Sequence, residues 1–167
     1  MPPVEPPDSH RLSAAIGWCE LGDVGEAALE LERLDPRWTN DPDVLEVWWR
    51  IQATKQDWVA AHHTARMLVE RSPDRSWAWL HRAYALRRCP DGGLEAAREA
   101  LLPAFEKFPE EPVIPFNLAC YACQLNRPDE ARSWLDLAMK AGGKARIRRM
   151  ALSDPDLEPL WPEIQER

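Results

Sequence analysis

The chain has 167 residues, 45% of them hydrophobic, with nine tryptophans, sixteen prolines and a net charge of −7. That length suits about one domain with a continuous buried core, and a pI near 5.2 disfavours a phosphate-backbone partner, whose recognition rests on Lys and Arg. No apolar run approaches the ~20 residues needed to span a bilayer, so neither nucleic acid nor membrane is an expected partner, and a cytoplasmic protein is expected.

Residues 1–8 read as a disordered, proline-rich tail. The start, MPPVEPPDSH, carries neither the basic region nor the apolar core of a secretory signal. Leu12, Ala15, Ile16 and Cys19 recur at helical spacing and predict a helix over 9–21. Leu21-Gly22-Asp23 breaks it, and 24–34 form its partner. Asp35-Pro36 then ends the pair and leaves a looser connection through Trp38 to Pro42. A second pair is predicted over 42–54 and 57–71, with Asp41 and Asp57 as N-caps and Pro42 at the first helical position. Trp48, Trp49 and Trp58 are expected in the core. Ser76 is the expected cap of a helix to Arg88. Its partner spans 93–107, with a kink at Pro103. A fourth pair covers 112–125 and 128–141, its prolines near helix starts, and Gly142-Gly143 stops it. In 144–167, KARIRRMAL predicts a short basic helix. Ser153-Asp154-Pro155 then begins a last helix whose Leu157, Leu160 and Trp161 cover the apolar face that an array leaves open.

The pairs repeat. Ala27, Ala61, Ala97 and Ala131 stand 34, 36 and 34 residues apart, and Ala15, Trp49, Ala83 and Ala119 stand 34, 34 and 36 apart. The two extra residues fall between Ala83 and Ala97, where CPDGG can absorb them in a turn. Periods of this size mark stacked helical pairs, because one pair cannot bury its apolar face alone.

In residues 42–75 the pattern is Trp48 and Trp49, then Ala61, Leu68 and a closing Pro73. The next unit offers Ala83, Ala97, Ala104 and Pro109, the one after it Leu118, Ala119, Ala131 and Ala138, and the first Ala15, Ala27 and Leu34. On these residues the chain resembles the tetratricopeptide repeat (TPR) proteins, whose unit of about 34 residues is a helix–turn–helix with small residues at the crossings and a closing proline. It departs at Trp49, where the family has Gly or Ala, and at Thr39 and Gly143, where closing prolines would stand. The fold implied is all-α: an α-solenoid of about four repeats over 9–143 (units 9–41, 42–75, 76–111 and 112–143), followed by capping helices over 144–167.

The resemblance also implies a function. First helices of such units line a concave groove that receives an extended peptide or a partner helix. Carried over by register, that face holds Glu46, Arg50 and Thr54, then Trp77, Leu80, His81, Tyr84 and Arg88, then Phe116, Asn117, Cys120 and Gln124. Aromatics and Arg flanked by amides suit a peptide site. One subfamily grips chaperone C-termini with a clamp of Lys, Asn and Arg. This chain has Leu12, Ile16, Val47, Trp77 and His81 at those positions, or Glu46, Arg50, His81, Val113 and Asn117 one unit on. Neither set supplies the clamp's cations, so that activity is not expected. The expectation is a non-catalytic adaptor, monomeric or weakly dimeric, with a self-associating structural array as the alternative.

Nothing points to catalysis or a cofactor. There is no glycine-rich phosphate loop, no HExxH and no nucleophile elbow, and the carboxylates read as solvated helix faces. Cys120 and Cys123 share a helix face and could bind a soft metal. A zinc site needs about four ligands, however, and buried small residues near a helix crossing explain the pair better. The cluster Lys140, Lys144, Arg146, Arg148 and Arg149 is either a patch for an anionic partner or a solvated face near a helix C-terminus.

Overall fold

A computed structural model describes residues 3–166. Among them the regular structure is ten α-helices and two 3-10 turns, with no strand. In chain order the helices are α1 (Asp8–Glu20), α2 (Val24–Glu32), α3 (Pro42–Thr54), α4 (Trp58–Arg71), α5 (Ser76–Leu86), α6 (Leu94–Lys107), α7 (Val113–Gln124), α8 (Pro128–Gly142), α9 (Lys144–Ser153) and α10 (Trp161–Glu166). The 3-10 turns are Pro36–Trp38 and Pro155–Leu160. Two compact units divide the chain at Pro90/Asp91, within the CPDGG stretch that carries the two extra residues.

The alanine comb marks the tightest packing. Ala15, Ala27, Ala61, Ala83, Ala97, Ala119 and Ala131 are fully buried, and Trp49 is nearly so at 9% exposed. A methyl side chain there lets one helix backbone approach its neighbour closely, which a larger residue prevents.

Three helix–helix turns share one backbone solution. At Leu21-Gly22-Asp23, Lys55-Gln56-Asp57 and Leu125-Asn126-Arg127 the middle residue has positive φ: 83° at Gly22, 57° at Gln56 and 59° at Asn126. In each turn the third residue's N–H reaches back to the carbonyl five residues earlier, at Trp18, Gln52 and Ala122 respectively. The middle N–H bonds the carbonyl three residues earlier, at Cys19, Ala53 and Cys123. These are Schellman closures, which satisfy the last carbonyls of the helix and require a left-handed residue. Asp23 and Asp57 then cap the next helix, accepting from the Glu26 and Ala60 amides at 3.1 Å each. The fourth pair has Arg127 there and starts on Pro128 instead.

In the first unit, Leu12, Leu31, Leu34, Trp38, Val44, Val47 and Ile51 join the alanines of α1 and α2 in one buried cluster. Leu45, Trp49, Leu68 and Val69 form a second with alanines of α4 and α5. Each fully buried Leu or Ile contributes roughly 1.5–3 kcal/mol over an exposed one. The start of the chain departs from the free tail expected over 1–8. Val4 packs against the first cluster, and Asp8 begins α1, buried, accepting a 3.1 Å hydrogen bond from the Trp38 indole. Trp38 is 4% exposed, so the segment after α2 is a plugged turn rather than a loose connection. Met1 and Pro2 of that tail, and Arg167 of the capping segment, lie outside the described residues. Asp41 caps α3 as expected, accepting from the Asp43 and Val44 amides. Ser76 does not cap α5. Arg75 holds the cap position with no side-chain cap bond, and its guanidinium bonds Asp43 at 2.6 Å.

In the second unit α6 runs on through Pro103. Phe105 meets Trp134 edge to face with ring centres 4.9 Å apart. Gly143, with φ 83°, ends α8 and begins α9. The last segment is a 3-10 turn followed by a short α-helix, not the single helix expected, because Pro155 and Pro159 withhold backbone donors. It still buries Leu157, Leu160 and Ile164. Its fastening repeats the array's own: Arg98 of α6 bonds Glu130 of α8 at 2.6 Å, and Arg132 of α8 bonds Glu163 of α10 at 2.7 Å. The last segment is thus tied to α8 by the same kind of ion pair that ties α8 to α6.

Candidate peptide-binding surface

Five rings from α3, α4 and α5 meet in the first unit. Trp49 and His81 stack with centres 3.6 Å apart and planes 7° from parallel. Trp77 tilts against His81 at 5.4 Å, and Tyr84 stands edge-on to both Trp49 (6.1 Å) and Trp58 (5.8 Å). The periodicity explains the meeting: Trp49 and His81 sit on successive first helices, and the large indole at the family's small position supplies a face for the imidazole. Pairs of this geometry are worth about 0.5–1.5 kcal/mol beyond the area they bury.

The electrostatics follow from the packing. Burial, seconded by the Arg50 charge, pushes the His81 imidazole down to about 4, so it is neutral near pH 7. Trp49 Nε1 and His81 Nε2 are buried with no hydrogen-bond partner among the described residues. Burial also raises the Cys19 thiol, which Arg50 partly offsets, so α1 shares the field of this face. Arg50 is paired with Glu46 at 3.2 Å. Thr54 is exposed at the last turn of α3. Trp77, Leu80, His81 and Arg88 are half-buried, and Tyr84 is 40% exposed. Trp49 and Trp58 were expected in the core and belong to this cluster too. The signal was a tryptophan at a small-residue position of the comb.

The remaining residues of the set lie on α7 in the second unit, where the chain's own end engages Cys120 and Gln124 and lies beside Phe116. Gln124 donates to the Asp156 carbonyl at 3.0 Å, and Asn117 turns back to the Val113 carbonyl at 2.8 Å. Phe116 is buried beside a shallow depression of about 330 Å³ formed with Met150, Ser153, Asp154 and Pro155. The Cys120 thiol contacts the Asp154 carboxylate at 3.7 Å, and ligand atoms of Cys120, Asp154 and Asp156 lie within 4.8 Å of one another. Cys123 is not in that group. Burial, with Asp156 nearby, raises its thiol further from ionisation. Asp154 accepts from the Asp156 amide at 2.9 Å, so its carboxylate is accounted for as the cap of the last 3-10 turn.

The structure matches TTC0263, a thermophilic TPR protein in Thermus thermophilus, with a TM-score of 0.73 and 20% identity over 94% of this chain and 82% of that one. The fold is that of the tetratricopeptide repeat. MamA MSR-1 shares it at a TM-score of 0.65 and 16% identity, covering 95% of each chain. MamA AMB-1 does so at 0.65 and 17%, over 95% of this chain and 90% of its own. No protein-family model matches the sequence, and no curated protein matches it. In TPR terms the ring cluster lies on first helices of the second and third repeats, α3 and α5, with Trp58 from the second helix α4.

Proposed function

We propose that the chain is a non-catalytic interaction scaffold whose first-helix face takes an extended peptide or a partner helix. The observation that carries the proposal is the partly exposed ring cluster of Trp77, His81 and Tyr84 on α5, backed by Trp49 and Trp58. Rigid aromatics next to Arg present contact area at low entropic cost, as interface anchors do. The TPR fold adds support, since its repeats commonly serve protein–protein contacts. We place the contact on the first unit because Phe116, Cys120 and Gln124 of the second already meet the chain's own end.

The test compares wild type with a Trp77→Ala, Tyr84→Ala variant as bait in cell lysate, after circular dichroism shows both are folded. Partners held by wild type and lost by the variant support the proposal. Partners held equally by both remove this face as the site. A second reading, self-association, is favoured by Trp18, Leu21 and Leu29 exposed on the first helical pair. Sedimentation equilibrium across a hundredfold concentration range decides it. The cytoplasmic setting belongs to the same proposal and is checked by cell fractionation.

A further inference from the structure

Arg88 is held differently from the other cations of the first-helix face. Its guanidinium carbon lies 3.6 Å from the Tyr84 ring centre and 5.2 Å from that of Trp58. One of its terminal nitrogens donates to the Tyr84 carbonyl at 3.0 Å. Arg50, by contrast, is neutralised by Glu46 and Arg75 by Asp43. Among the described residues no carboxylate pairs with Arg88. The stack fixes a side chain that would otherwise lose considerable rotamer freedom on binding. A planar fork with most of its N–H donors uncommitted matches a carboxylate bidentately, and the charged pair is stronger than a neutral hydrogen bond. Tyr84, 40% exposed beneath it, offers an apolar surface alongside. Arg88 is also not one of the positions where the chaperone clamp's cations stand.

We infer that the ligand of this face is an extended peptide bearing a carboxylate beside a large apolar side chain. The carboxylate pairs with Arg88 and the apolar group rests on Tyr84 and Trp58. This inference rests on the peptide-binding function proposed above. The carboxylate comes from an Asp or Glu side chain or from the peptide's own end, and one experiment separates the two.

Random ten-residue peptides, made once with free and once with amidated C-termini, are passed over the immobilised full chain, and the retained sequences are read by mass spectrometry. Enrichment of Asp or Glu next to Leu, Phe or Trp in both libraries assigns a side-chain carboxylate. Retention from the free-end library alone assigns the chain end. Retained peptides without any carboxylate overturn the inference and leave peptide binding standing, whereas no retained peptide overturns both. For the tightest peptide, Arg88→Gln and removal of the ligand carboxylate (Asp→Asn, Glu→Gln or amidation) each weaken binding roughly ten- to a hundredfold. Combined, they weaken it little further than either alone. Arg88→Lys, which keeps the charge and loses the flat fork, falls between wild type and Arg88→Gln. Independent, additive losses overturn the pairing. Trp77→Ala serves as the separate check on the groove.

Discussion

His81 and Trp49 form the contact whose chemistry is most exposed to measurement. The folded imidazole titrates near 4 because burial and Arg50 both disfavour its charged form, against about 6.5 in the unfolded chain. Between those values the unfolded chain holds a proton that the folded one lacks. The stability contributed by the neutral ring is therefore complete above about pH 6.5 and is lost as pH falls toward 4, by about 3 kcal/mol in order of magnitude. Urea midpoints measured from pH 7.5 to 4 fall more steeply for wild type than for His81→Gln, and parallel profiles would refute the assignment. Glu130 has its own acid dependence. Burial works against its ionised form, but hydrogen bonds from Arg98 and Trp134 and the charges of Arg98 and Arg127 prevail and hold its carboxyl down. Its contribution is present above the ordinary carboxylate range and lost as pH falls below it, in wild type and His81→Gln alike. Trp49→Ala removes a buried ring and its partner's stack, and costs about 3–5 kcal/mol in denaturant unfolding.

At the scale of elements, three different turn sequences adopt one backbone. Gly22 takes its positive φ without penalty, Asn126 tolerates it, and Gln56 carries strain. Gln56→Gly stabilises the fold by up to about 1 kcal/mol, and Gly22→Ala destabilises it by about as much. Equal and opposite shifts in thermal midpoint check the pair. Asp57→Ala, which removes the Ala60 cap, costs about 1 kcal/mol. These turns also show what a sequence discloses. The alanine comb is legible because sterics at a helix crossing leave little choice, and every comb alanine is fully buried. Glycine and asparagine advertise a left-handed residue, but glutamine does not, so Lys55-Gln56-Asp57 is readable only by its register with Leu21-Gly22-Asp23. The bond between Asp8 and Trp38 spans thirty residues and begins in a proline-rich stretch, where no local preference announces it. The seat of Arg88 is equally silent in sequence, since it depends on side-chain rotamers rather than spacing.

For the whole molecule, the period of 34 residues does more than mark helices: it sets which charges find each other. Asp43 with Arg75 and Glu95 with Arg127 are each 32 residues apart, and so are Arg98 and Glu130. Single exposed pairs add little, so these contribute register rather than bulk stability. The apolar burial of Ile147, Ala151, Leu157, Leu160 and Ile164 is what the capping segment supplies. Deleting residues 144–167 exposes the faces of α7 and α8 they cover, and an uncapped array then binds a hydrophobic dye and aggregates. Deletion without dye binding would show that those faces close on themselves.

The ion pair that ties the last segment to α8 has one more consequence. Arg132 meets Glu163 as Arg98 meets Glu130, so the joint after Gly143 repeats one ion pair of the joint between α6 and α8. A copy of residues 110–143 spliced in after Gly143 would present its own Glu130 to the existing Arg132 and its own Arg132 to the displaced Glu163. Such a chain would gain a whole unit and keep the same ending.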